Sequence, residues 1–253
     1  MNFLKGSVFY QLIVLVLSSA SLFSQATDPY QKGYSAEQNL KAIGRVNPYS
    51  PGGMGFDNRY QGVVGSPLLF DQLLPSLVKV NSEEKYLNIE SNLDVYQDRL
   101  IFSHPTTKNL MYIPAQIIDE VIINTKGENL IFRTTQDKKF DPGIDNIRFY
   151  QVLYSNSATL VKLPVKKLIP ADYQAVYSAD RRYDEFDTKF LYYYLGPDVI
   201  FHKITPNKKS LVMVFPGKRE IIEKTLREME FENNDEMVIE VIKRISASDS
   251  IKQ

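Results

Sequence analysis

One of the chain's two histidines, His202, stands in the run VIFHKI a few residues behind three consecutive tyrosines, Tyr192, Tyr193 and Tyr194. Histidine exchanges protons near neutral pH and is the commonest metal ligand. Tyrosine offers an apolar ring with a polar tip, suited to stacking on a sugar or a peptide. Side chains alternate between the faces of a strand, so His202 shares a face with Ile200 and Ile204 while Phe201 points the other way. The same rule sends Tyr193 to one face and its two neighbours to the other, so at most two of the three rings can form a platform. Tyr192, Tyr194 and His202 are therefore the expected ligand contacts. The second histidine, His104 in SHPTT, is distant in sequence and shows no metal-ligand spacing with the first.

Carboxylates give a second possible chemistry. Asp180, Asp184, Glu185 and Asp187 precede FLYYYL, mixed with Arg181 and Arg182. Two carboxyl groups roughly 5–9 Å apart across a glycosidic bond can hydrolyse it, which makes Asp184 and Asp187 the candidate pair. DPGIDN places Asp141, Asp145 and Asn146 around a glycine, but a calcium loop needs more oxygen ligands and a closing glutamate. A turn is expected there. Gly52, Gly53 and Gly55 lack the lysine and hydroxyl of a phosphate loop. Gly65-Ser66-Pro67 lacks the second glycine of a serine-hydrolase elbow. No catalytic residue, metal site or cofactor is assigned from sequence.

The elements that carry these residues follow from periodicity. In YLNIESNLDVY, Leu87, Ile89, Ser91, Leu93 and Val95 alternate with Asn88, Glu90, Asn92 and Asp94, predicting one buried and one wet face. RLIFS, NLMYI, IIDEVII, NLIFRT, RFYQVLY, TLVKLPV, FLYYYL and VIFHKI continue the series, punctuated by Pro, Gly, Asn and Asp, for about ten strands in all. Gly196-Pro197-Asp198 reads as the hairpin turn joining the last two. Helices long enough for parallel crossovers are missing from this stretch, so the sheet is expected to be antiparallel. From Thr205 the period changes. Thr205-Pro206 predicts the start of a short helix through NKKSLVMVF. Ile221, Ile222, Thr225, Leu226 and Met229, then Met237, Val238, Val241, Ile242 and Ile245, recur at helical spacing. Asn233 and Glu236 form a capping-box pattern. The expected fold is α+β: a mainly antiparallel twisted sheet, as a sandwich, open barrel or rolled sheet, packed by a C-terminal helical hairpin.

Composition limits the function classes. The 253 residues hold 30 basic and 30 acidic side chains, with no basic excess to suit nucleic acid. Cysteine is absent, which removes disulfides, thiolate metal sites, thiol nucleophiles and a cysteine-borne lipid anchor. Phe and Tyr, 14 and 16 residues with no Trp, favour strands over helices. The first residues pair Lys5 with the apolar run Leu12–Leu17 and a Ser24-Gln25-Ala26 exit, the pattern of a secretory signal peptide. Cleavage there starts the mature chain at Thr27; the alternative is a retained membrane anchor. Residues 27–67 are expected to be a Gly/Pro-rich lead-in, 68–246 one β-rich domain and 247–253 a tail.

The series GSPLLFDQLLPSLVKV, NIESNLDVYQDRLIF, PAQIIDEVII, RFYQVLYSNSATLVK and FLYYYLGPDVIFHKITPNKKSLVMVFPGKREIIEKTLREMEF resembles a set of exported proteins from Bacteroidota. The shared features are the Gly-x-Pro start, an Asn-x-x-x-Tyr strand with Asn92 and Tyr96, a Tyr-rich hairpin and two late helices. The resemblance covers residues 62–246. It implies export and a single domain, and it carries over no functional residues. The leading expectation is an exported, non-enzymatic periplasmic or outer-envelope protein that binds a protein or glycan. The alternative is a carboxylate-dependent hydrolase of cell-wall or surface polymers. A third reading is a subunit of an outer-membrane-associated complex.

Overall fold

Alternating apolar residues do form strands. The computed structural model describes residues 60–250 apart from 61, 82–83, 105, 157 and 172–182. The expected signal peptide, most of the lead-in, Gly52, Gly53, Gly55, Asp180, Arg181 and Arg182 lie outside the described residues. The described strands are β1 (Leu74–Val80), β2 (Leu87–Asp94), β3 (Arg99–Ser103), β4 (Leu110–Pro114), β5 (Ile118–Thr125), β6 (Glu128–Thr134), β7 (Lys139–Asp141), β8 (Phe149–Ser155), β9 (Thr159–Ile169), β10 (Glu185–Leu195) and β11 (Ile200–Ile204). All join one sheet in the order β4-β3-β2-β1-β5-β6-β8-β9-β10-β11-β7. The ladders are antiparallel except β11–β7, which is parallel. Helices α1 (Lys208–Val214), α2 (Arg219–Glu228) and α3 (Asn234–Ser250) follow. The architecture is α+β, a large and mostly antiparallel open sheet with C-terminal helices.

One connection forces the sheet to curl. In a flat sheet β4 and β5 would stand four strand spacings apart, roughly 19 Å. Only Ala115–Ile117, a 3-10 turn, joins them, and even a fully extended chain of that length reaches about 14 Å. Strands β1 to β5 therefore roll together and enclose a core that includes Leu93, Leu100, Phe102, Ile113, Phe132 and Phe149. Strand β8 extends past this core. Its Phe149 belongs to the rolled part, while Leu153 packs among the helices.

The helices cover one face of β8 to β11. Ile222, Val238, Val241, Ile242 and Ile245 pack with Leu160, Tyr192 and Ile204, as the helical spacing predicts. The opposite face holds Tyr150, Val161, Leu163, Tyr193 and Phe201, and the segment around β7 covers it with Phe140 and Ile144. That segment leaves β6, pairs at the far side of β11 and returns to β8. Half of the expected Asn233–Glu236 capping box forms: Glu236 N donates to Asn233 Oδ1 at 3.0 Å, while Glu236 Oε2 accepts the Glu232 amide, at 2.9 Å, in place of the Asn233 amide. The first helix is capped differently from expectation. Asn207, not Thr205, accepts the Ser210 amide, because an extended Asn can turn its side-chain oxygen onto the third amide of the helix. The last helix continues to Ser250, beyond residue 246.

Strand β2 departs from the simple alternation. Leu87, Ile89, Ser91 and Leu93 are buried as expected, but Asn92 and Asp94 are fully buried too. The chain before β1 lies over them. Asn92 Nδ2 donates to Phe70 O at 2.7 Å and Gln72 O at 3.0 Å, while its Oδ1 accepts the Phe70 amide. Asp94 accepts the Gln97 amide and Arg99 Nε, each at 2.9 Å. Residues 62–69 are held along the same border. Val64 N donates to Asp184 O at 2.8 Å, Phe186 N donates to Val64 O at 2.9 Å, and Leu69 N donates to Leu93 O at 2.8 Å. Gly65, at φ +84°, passes so close to β10 that an added Cβ would lie 3.4 Å from Phe186 Cβ. Tyr96 and Tyr60 meet Phe186 edge-on, each with ring centroids 5.2 Å away.

Candidate functional site

Strand register places the three expected contacts on one face. Tyr194 stands opposite His202, and Tyr192 opposite Ile204. Tyr193 points into the other core, as alternation requires. The shared face is the one covered by helices, so the rings of Tyr192 and Tyr194 serve packing. Tyr192 is 6% exposed. Its hydroxyl donates to Asp235 Oδ1 at 2.6 Å, and the Lys162 ammonium reaches the other Asp235 oxygen. Burial first, then this carboxylate, push the Tyr192 phenol well above its usual range. Tyr194 meets Phe215 edge-on, ring centroids 4.8 Å apart.

His202 sits at the rim. Its Nε2 lies 2.9 Å from Asp198 Oδ2 and 3.1 Å from Oδ1, and its Nδ1 lies 3.5 Å from Asp141 Oδ2. Asp141 is beside it because β7 runs parallel to β11, with Asp141 opposite His202. Neutral histidine can donate to only one of these carboxylates, and protonated histidine to both. Desolvation acts against the Asp198 charge, but hydrogen bonds from His202 and the Ile200 amide outweigh it and hold that carboxyl below its usual range. The two aspartates occupy opposite ring nitrogens, so the three groups do not converge on one point. Among the described residues no three His, Asp or Glu side chains are placed to hold a metal ion. The Asp198–His202 pair packs against Gly196: an added Cβ would fall 2.6 Å from Asp198 Oδ1 and 2.9 Å from His202 Cδ2, so a larger residue there would displace these two side chains.

The candidate hydrolase carboxylates are separated in role. Asp184 Oδ1 accepts the Ala171 amide at 2.7 Å, and Asp187 lies 3.5 Å from Lys189 Nζ. Three steps apart at the start of β10, their side chains leave opposite faces of the chain. His104, the other histidine, caps its own loop by accepting the Thr106 and Thr107 amides at Nδ1.

The feature that sequence reading missed is a groove of about 510 Å³ between the first half of α3 and strands β6 and β8. Leu130, Leu153 and Ile239 supply its apolar surface, and Gln151, Glu236 and Lys243 are among its polar groups. Asp235 is at one wall, held by Lys162 and Tyr192. The Lys162 side chain is only 15% exposed, with its ammonium 5.0 Å from the centre of the Phe190 ring. A lysine inside the apolar run TLVKLPV was the legible signal, since a lysine on a covered face requires a carboxylate partner. The groove size falls in the range of ligand pockets, and no aromatic ring is among its described lining. Compared with known proteins, the chain matches no family model, no curated protein and no solved structure.

Proposed function

We propose that the protein is exported and acts in the periplasm or outer envelope as a non-enzymatic binding module, with the groove between α3 and strands β6 and β8 as its contact surface. The groove itself carries this reading: it is a concave surface of mixed lining, with Leu130, Leu153 and Ile239 beside several polar and charged groups, and concave sites with placed polar groups are where ligands bind. Sugar recognition relies heavily on stacking against aromatic faces, so a lining without aromatics favours a protein segment over a glycan. Export rests on the charge and apolar pattern of residues 1–26. The positions of Asp184 and Asp187 weigh against carboxylate-dependent hydrolysis, which needs two carboxyl groups facing one bond.

The test compares capture from an envelope extract by the wild-type chain and by Gln151→Arg, which fills the groove from a half-exposed strand position. A partner held by the wild type and lost by a variant with unchanged circular dichroism supports the groove. Equal capture by both removes the groove as the contact surface. Recovery of the chain alone counts against a binding module. Intact mass of the secreted chain checks export separately, with a start at Thr27 expected.

A further inference from the structure

The two edges of the sheet differ in how they treat an incoming strand. β7 is three residues long, carries Lys139 and Asp141, and is followed by Pro142. Short length, charge and proline are the means by which edges refuse further pairing. β4, at the opposite edge, reads Leu110-Met111-Tyr112-Ile113-Pro114 and holds no charge. Among the described residues its ladder partner is β3 alone. No described residue pairs with its outward-facing backbone N–H and C=O groups, the kind of edge that accepts another strand. Pro114 has no N–H, which removes one of the outward-facing donors and leaves those of Leu110 and Tyr112.

The side chains of β4 say what would fit. Ile113 is fully buried and Met111 packs beside it on the rolled core while remaining partly exposed. On the other face Leu110 is 37% exposed, and the Arg99 guanidinium lies 5.2 Å from the centre of the Tyr112 ring. Arg99 is already neutralised by the buried Asp94. The strand is thus its own complement about Tyr112. Turned antiparallel, one copy sets Tyr112 against Tyr112, Met111 against Ile113 and Leu110 against Pro114. Residues opposite each other in an antiparallel ladder share a face. Met111 and Ile113 then meet on the core side and cover the part of Met111 left open. No like charges come together.

We propose that β4 is a self-association edge, at which two copies of this chain pair β4 with β4 about a two-fold axis at Tyr112 and extend the sheet across both. An isologous strand pair of this kind closes after two copies. Five residues bury less than the roughly 800 Å² per partner of a standard interface, so the association is weak and concentration-dependent.

The absence of cysteine makes the register testable. Tyr112→Cys introduces the sole thiol, and the two-fold pairing brings both Cα atoms to about 4.5–5.5 Å, within disulfide reach. Val199→Cys, at a turn position 73% exposed, is the control. Under mild oxidation Tyr112→Cys is expected to cross-link roughly ten-fold faster, because pairing raises the local thiol concentration. In sedimentation velocity the wild-type dimer fraction should grow with concentration. Leu110→Lys combined with Tyr112→Lys should sediment as a monomer with unchanged far-UV circular dichroism, at a lower melting temperature because the Arg99–Tyr112 contact is lost. Equal cross-linking rates for the two cysteine variants would overturn the proposal. So would a wild-type chain that stays monomeric throughout, or a dimer that survives the paired lysine substitutions. These outcomes are independent of the α3 groove.

Discussion

Asp98 occupies the turn between β2 and β3 at φ +51°, and its surroundings disfavour its charge. Its side chain is 17% exposed, and the nearest cation, Arg148 Nε, is 3.9 Å away. Burial is the largest influence on its carboxyl; Arg148 opposes it and Asp94 adds to it, and the pKa is pushed up from 3.8 to about 6. A carboxyl whose folded pKa lies above its unfolded value binds protons more tightly when folded. Its stabilising contribution is complete below about pH 4 and is lost as pH rises through about 6. Asp98→Asn keeps a residue type that tolerates positive φ and removes the charge. Urea unfolding should show it more stable than wild type by about 1–2 kcal/mol at pH 7, within the limit set by about 1.4 kcal/mol per pKa unit. The gain should vanish at pH 4; an equal gain at both pH values would mean that Asp98 is not its source. Asn92 and Asp94 teach a related lesson at the same scale. Sequence alternation assigns them to water, yet both are buried: Asn92 bonds to the chain before β1, and Asp94 bonds to the Gln97 amide and Arg99 just after β2.

At the scale of the element, the segment before β1 is held by a few polar contacts and aromatic edges. The Lys166 ammonium donates to Ser66 O at 2.7 Å and Leu68 O at 2.6 Å. Burial lowers the Lys166 pKa, against the pull of Asp71 and Asp94. Lys166→Met keeps the stem and removes both bonds. The amides of Val64 and Leu69, which donate to Asp184 and Leu93, should then exchange at least roughly ten-fold faster, since local opening needs less free energy than global unfolding. Amides of α3 should be unaffected; matching acceleration there would show that Lys166 supports the whole fold. The helices themselves were readable in advance. Val238, Val241, Ile242 and Ile245 form the buried stripe that their spacing announced. Thr205 and Asn207 are both good cap residues, and the backbone path selects Asn207.

For the whole molecule, one strand serves two cores. β8 places Phe149 among the residues of the rolled half and Leu153 beneath the helices. The ladders β5–β6, β6–β8 and β8–β9 join these halves, with one register shift between Val152 and Tyr154 in β8–β9. Loss of either core strips packing from a shared strand, so the halves should unfold together. Far-UV circular dichroism and tyrosine fluorescence, the latter free of tryptophan, should give coincident urea transitions. Two separated transitions would show that the rolled half and the helix-covered half stand independently.

The sequence by itself determined the local geometry of this protein. Period-two alternation, turn residues at Gly196–Asp198 and the cap at Asn233 are consequences of neighbouring residues, and they are legible without coordinates. Alternation also puts Tyr192 and Tyr194 on one face of their strand; the β10–β11 register, which sets Tyr194 opposite His202, adds His202 to that face. Tertiary structure decided what covers that face. Helices α2 and α3 arrive from later in the chain, put Tyr192 against Asp235 and leave His202 at the rim between Asp198 and Asp141. The roll of β1 to β5, the groove beside α3 and the uncharged edge at β4 likewise depend on strand order, set by contacts between residues far apart in the chain. Periodicity reports which side of an element is apolar; it is silent about which distant segment completes the burial.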